Sequence, residues 1–166
     1  MPHGYRAAMD TTRNELKLPG AALIAGYDGL LPQIIAAGMA LSSDEYRWTG
    51  LAAAYGYAAF IFSFLGGIWW GFGIIARKDG AAAAPIFALA VMPSLIAFAS
   101  YMPWIWGWDW PGPSLAIIGL CLMASPFVDR WLMDSCNLPG GWMRLRWHLS
   151  LGLGGLTVLL AVLSGQ

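Results

Sequence analysis

Residues 55–77 read YGYAAFIFSFLGGIWWGFGIIAR, with twenty-two uncharged residues from Tyr55 to Ala76 before the first charge at Arg77. At a helical rise of about 1.5 Å per residue, a run of that length crosses a hydrocarbon core of roughly 30 Å. Within it Gly67 and Gly71 form a GxxxG, with Gly66 and Gly73 alongside. Small residues at that spacing let a second helix backbone come close, which is how spans associate where lipid supplies no hydrophobic drive. Gly66, Gly67 and Gly71 are therefore expected at a helix–helix contact. Trp69 and Trp70 stand beside that groove, and the stretch is expected to be the spine on which the other helices pack.

The remaining composition agrees with a membrane setting. Of 166 residues, 58% are hydrophobic and 11% charged, and the mean hydropathy is +0.60. A soluble domain carries about a quarter charged residues. The length suits one domain, and a formal net charge of zero argues against a nucleic-acid partner, which needs a basic surface. Cys121 falls in an apolar run and Cys136 in a loop read as cytosolic, so no disulfide is expected.

Outward from the spine, four more apolar runs follow the same logic. Residues 1–17 form a polar tail with Arg6, Arg13 and Lys17 against Asp10 and Glu15. The first run, 18–41, is longer than the roughly 7–15 residues of a signal-peptide core and lacks a clean cleavage site. Pro32 is expected to kink it, because proline removes a backbone donor and clashes with the preceding turn. Residues 42–48 read as a short acidic loop. The second span covers 50–76, the third 81–102, the fourth 114–132 and the fifth 142–163. The fold expected is all-α: a polytopic integral membrane protein with a bundle of five transmembrane helices in one domain, 18–166. With the N-terminus in the cytosol, eight of the nine Lys and Arg residues lie on the inner side and only Arg47 outside. That is the positive-inside pattern, and it fits a bacterial inner membrane with an external C-terminus.

Few residues point to chemistry. Asp28 is the one ionisable residue deep in a span. Such residues usually face the bundle interior and mark function, so Asp28 is expected to face other helices, with Ser63 as a possible hydrogen-bond partner. It reads either as a structural interhelical hydrogen bond or as a ligand- or proton-handling group. Trp69 and Trp70 either pack in the core or line a pocket for a flat apolar ligand. Trp104, Trp106, Trp108 and Trp110, at alternate positions before Pro111, read as an interfacial belt or as a lid over an aromatic site. Only His148 is near a span, so no bis-histidine haem is expected. No zinc spacing, phosphate loop, Gly-x-Ser-x-Gly elbow or HExxH appears. No metal, cofactor or catalytic residue is therefore assigned. Arg144, Arg146 and His148 read as anchors of the cytosolic end of span five, or as a grip on an anionic lipid head. The start of a helix repels cations, so an anion must compensate, with Asp129, Asp134 or a lipid phosphate as candidates.

GLLP at 29–32, FSFLGGIWWG at 62–71, Asp129 and LPGGWMRLRWHLS at 138–150 together resemble the domain-of-unknown-function 3429 family, which includes the transmembrane-protein-69-like proteins of mitochondria. The resemblance covers nearly the whole chain. It implies a small multi-span membrane protein and no assigned activity. In shape alone, five spans with abundant tryptophan are similar to the tryptophan-rich sensory protein group, which binds porphyrins and sterols.

Two readings of function follow. One is a non-enzymatic membrane protein that binds a hydrophobic small molecule or lipid, or packs against a membrane protein partner or a second copy of itself. The other is a small transporter or proton-handling protein using Asp28. The topology is directly testable: a reporter fused after Gln166 should be active only outside the cytosol, and one after Lys78 only within it. Cytosolic activity of the Gln166 fusion would refute this orientation.

Overall fold

The computed structural model describes residues 18–75, 84–133 and 141–165. It is all-helical, with α1 Gly20–Asp28, α2 Leu31–Ser42, α3 Asp44–Ile75, α4 Ala84–Ile105, α5 Gly112–Met133 and α6 Trp142–Ser164. Taking α1 and α2 as one broken span, five helical segments among the described residues are long and apolar enough to cross a membrane. The tail 1–17, Arg77, Lys78, Asp134 and Cys136 lie outside the described residues.

Two departures from the sequence reading have clear causes. The kink expected at Pro32 falls at Gly29 and Leu30, between the end of α1 at Asp28 and the start of α2 at Leu31, and both residues keep right-handed helical dihedrals. Pro32 sits in the first turn of α2, where a missing N–H removes no helical hydrogen bond. At the break the Gly29 amide donates to Ala25 O at 3.2 Å, and the Tyr57 hydroxyl of α3 donates to Gly29 O. The second departure is the acidic loop at 42–48, which is mostly helix. Ser43 alone is extended, with φ −163° and ψ 159°, and α3 begins at Asp44. Asp44 and Glu45 occupy its first turn, where carboxylates complement the partial positive charge of the exposed amides.

A one-residue connection requires α2 and α3 to run back to back. Gly50 makes this possible: a methyl there would stand 2.3 Å from Ala40 N and 2.7 Å from Ala36 O. Further along α3, Leu51, Ala54, Tyr55, Ala58, Phe62, Leu65 and Trp69 are all buried. Their three- and four-residue spacing is one face of a 3.6-residue helix. This face makes α3 the centre of the bundle, in contact with α2, α4, α5 and α6. The remaining contacts also use small residues. A methyl on Gly119 of α5 would meet Gly154 O of α6 at 3.0 Å, and one on Gly154 would meet Gly119 O at 2.7 Å.

Of the three glycines expected at a helix contact, Gly66 meets one and Gly67 and Gly71 do not. A methyl on Gly66 would stand 2.3 Å from Ala90 O of α4, and one on Gly73 would press on Phe87 and Ile86 at 3.0–3.1 Å. Gly67 and Gly71 meet nothing within 4 Å. One residue along a helix turns the chain by about 100°, so a contact centred on Gly66 and Gly73 carries Gly67 to the outer surface. Large apolar side chains such as Phe60, Phe64 and Phe127 are exposed there, as suits helices surrounded by lipid.

These contacts set the effect of adding one methyl. Gly66→Ala should destabilise the detergent-solubilised protein by about 1–3 kcal/mol through overpacking against the α4 backbone. Gly67→Ala should leave stability unchanged. Unfolding by SDS titration measures both, and equal effects of the two substitutions would contradict this packing.

Candidate functional site

One turn inside one end of the bundle, α3, α5 and α6 meet around a carboxylate. Asp129 lies four residues before the end of α5 and Arg146 four residues after the start of α6. Adjacent antiparallel helices therefore bring the two to matching depth. Asp129 Oδ2 accepts from Arg146 Nε at 2.5 Å, and Oδ1 accepts from Trp69 Nε1 of α3 at 2.7 Å. Asp129 is 1% exposed, Trp69 3% and Arg146 7%. Each charge alone would be badly placed, since an acid near a helix C-terminus and a cation near an N-terminus both oppose the helix dipole. Paired, they cancel, and the indole donor fills the second carboxylate oxygen.

The network continues into α5. Pro126 lacks the amide that would bond Leu122 O, and the Ser125 hydroxyl donates to that carbonyl instead at 2.7 Å. Ser125 Oγ then accepts from Arg146 Nη2 at 3.3 Å and pairs with Ser150 at 3.2 Å. A break in the backbone ladder thus becomes the anchor for a buried guanidinium. Deeper in the bundle, Gln33 Nε2 donates to Thr157 Oγ1 at 2.9 Å, and Tyr55 donates to Ala97 O at 3.1 Å.

Beside the network a groove of about 260 Å³ opens between α1, α3 and α6. Its walls are apolar, including Gly26, Leu30, Ile61, Leu65 and Leu149, and Arg146, Ser150 and Trp142 reach it from α6. The buried Trp142 Nε1 has no hydrogen-bond partner among the described residues. On the α1 side the cover is light, because α1 buries none of its residues.

The family described as protein of unknown function, DUF3429, matches residues 18–163. The chain belongs to the DUF3429 family. No curated protein and no solved structure matches it. The matched region of this DUF3429 chain contains the ion pair, the groove and all of the described helices but the last residue of α6.

Several residues singled out in the sequence lie elsewhere than expected. Asp28 is exposed, against the expectation that it faces other helices. It ends α1, a segment outside the packed core, and the hydroxyl that crosses from α3 to the break belongs to Tyr57. Ser63 is half-buried and shares no hydrogen bond with Asp28. Trp69 and Trp70 part company by the same 100° step as the glycines: Trp69 enters the core, whereas Trp70 is half exposed with its ring edge-on to Phe87 at 4.9 Å. Arg146 is no lipid anchor, because its guanidinium is committed to Asp129. Arg144 is exposed. His148 is exposed too, and its Nδ1 pairs with the Tyr27 hydroxyl at 2.8 Å, tying α1 to α6. Asp129 is the counter-anion among those the sequence offers, and Trp69 joins it to make a triad. Its signal was the equal depth of Asp129 and Arg146 from the same bundle end. Among the described residues no three His, Cys, Asp or Glu come together as a metal site.

Removing one member should expose how unequal the three roles are. Arg146→Ala leaves a buried carboxylate unpaired and should cost about 3–5 kcal/mol of stability. Trp69→Phe keeps the ring and loses one hydrogen bond to a charged group, for about 1.5–3 kcal/mol. SDS-titration unfolding of the two variants measures both losses, and an Arg146→Ala protein as stable as wild type would contradict the network.

Proposed function

We propose that this chain is a non-enzymatic membrane binding protein that takes the apolar part of a lipid or similar hydrophobic molecule into the groove between α1, α3 and α6. The observation that carries the reading is the groove itself, an apolar cleft among helices fit to cross a bilayer, with polar donors at one margin. The indole N–H of Trp142, without a hydrogen-bond partner among the described residues, suits the polar end of an amphiphile. The break at Gly29–Leu30 gives α1 a hinge, and a segment with few buried contacts is the kind that opens locally. The ligand would then enter sideways from the bilayer. We further propose that the arginine-bearing end faces the cytosol of a bacterial inner membrane, a reading supported by the positive-inside pattern of Lys and Arg. Proton handling through Asp28 has less support, since that carboxylate is exposed at the bundle's edge and the buried acid is already paired.

Native mass spectrometry of the protein extracted in mild detergent tests this directly. Wild type should carry a bound hydrophobic adduct. Gly26→Leu fills space next to Leu149 and Leu145, which lie 3.3–3.4 Å from the position of the first added carbon. Displacing about two ligand methylenes should weaken binding by more than about tenfold while the helical content is kept. Undiminished adduct in Gly26→Leu would refute the groove as the binding site.

A further inference from the structure

The opposite end of the bundle carries a second recess, unrelated to the groove. Four indoles, Trp48, Trp104, Trp108 and Trp110, with Thr49, Ala52 and Gly107, line a depression of about 510 Å³ between the start of α3 and the α4–α5 connection. Gly107 has φ +69°, a conformation L side chains seldom adopt, and it turns the chain after Trp104 so that Trp108 joins the same wall. Two of the walls are fixed by ring packing. Trp110 stacks on Trp104 at 5.1 Å and 19° and meets Tyr55 edge-on at 5.9 Å. Trp104 in turn meets Tyr101 edge-on at 5.1 Å. Trp48, Trp104 and Trp108 nevertheless stay more than half exposed. The buried Trp110 Nε1 has no hydrogen-bond partner among the described residues.

Acidic residues flank the lining residues in the chain. Asp109 lies between Trp108 and Trp110, and Asp44 and Glu45 stand one turn before Trp48 and Thr49 on α3. The basic side chain at this end among the described residues is Arg47, whose Nη2 donates to Leu163 O at 3.0 Å on α6. Indole faces carry negative electrostatic potential and attract cations most strongly when the cation is weakly hydrated. An interfacial belt requires indoles spread around the bundle, whereas here four line one concavity.

We propose that this depression binds an organic cation of the quaternary-ammonium class, either a free molecule or the head group of a membrane lipid. The alkylated ammonium would lie among Trp48, Trp104 and Trp108, with Asp109 at the rim adding longer-range attraction. The proposal stands independently of the groove at the other end.

Calorimetric titration of the full chain in a maltoside detergent, with choline and its uncharged isostere 3,3-dimethylbutan-1-ol, tests it. Choline should bind saturably and about tenfold tighter than the isostere. Trp108→Leu should weaken choline about three- to tenfold, and Trp108→Phe less. Trp108 is exposed, so its variants keep the fold. Asp109→Asn should weaken choline at low salt and little at high salt. Repeating the titration in discs of phosphatidylcholine or phosphatidylglycerol separates the two sources. Choline binding blocked only in phosphatidylcholine assigns the site to a lipid head group, and equal binding in both assigns it to a free cation. Equal affinity for choline and the isostere, no saturable binding, or an unchanged affinity in Trp108→Leu would overturn the proposal.

Discussion

The structure depends on one buried carboxylate. Asp129 holds Arg146 on one oxygen and Trp69 on the other, so three helices converge on a single side chain. In a bundle whose outward faces are as apolar as its core, burial alone gives little reason for α5 and α6 to choose one rotation against α3. An ion pair with directional donors supplies that choice. Desolvating two charges is expensive, and the arrangement is sustainable here because each charge also relieves the other's unfavourable position on its helix dipole. Ser125 completes the set by serving both the carbonyl left free by Pro126 and the guanidinium.

Around that pair the helices close by small residues. Gly50 against Ala36 and Ala40, Gly66 against Ala90, and Gly119 against Gly154 each bring backbones into direct contact. Such contacts gain dispersion and weak Cα–H···O attraction where side chains would only hold helices apart. The segment that lacks them, α1, is the one left loosely attached, tied to its surroundings through Tyr27–His148 and through Tyr57 to Gly29. A packed bundle with one lightly covered half-helix leaves a cleft beside the ion pair.

The five spans were legible because length and lack of charge decide them, and both can be counted in the chain. Rotation was not legible. Every face of α3 is apolar, and four glycines within eight residues permit more than one groove, so the sequence could not separate Gly66 and Gly73 from Gly67 and Gly71. The same ambiguity left Trp69 and Trp70 as equals until packing sent one inward. Asp28 misled for another reason: a lone acid in a long apolar run is expected at an interface, but it ends α1, the segment that buries none of its residues. Ser43 was hidden because Asp44, Glu45 and Arg47 resemble a loop when they are in fact a charged first turn. Asp129 and Arg146 were visible as charges near helix ends, and Asp129 stood among the candidate counter-anions. Their partnership rested on depth in two antiparallel helices, which a linear reading does not display.

The most direct measurement is a double-mutant cycle on the ion pair, read by SDS-titration unfolding of Asp129→Leu, Arg146→Met and the two combined. If the pair orients the bundle, each single substitution leaves one buried charge alone and loses several kcal/mol, whereas the double variant removes both charges and recovers most of that loss. Losses that simply add in the double variant would show that the two side chains act separately, and that something other than their pairing holds α3, α5 and α6 together.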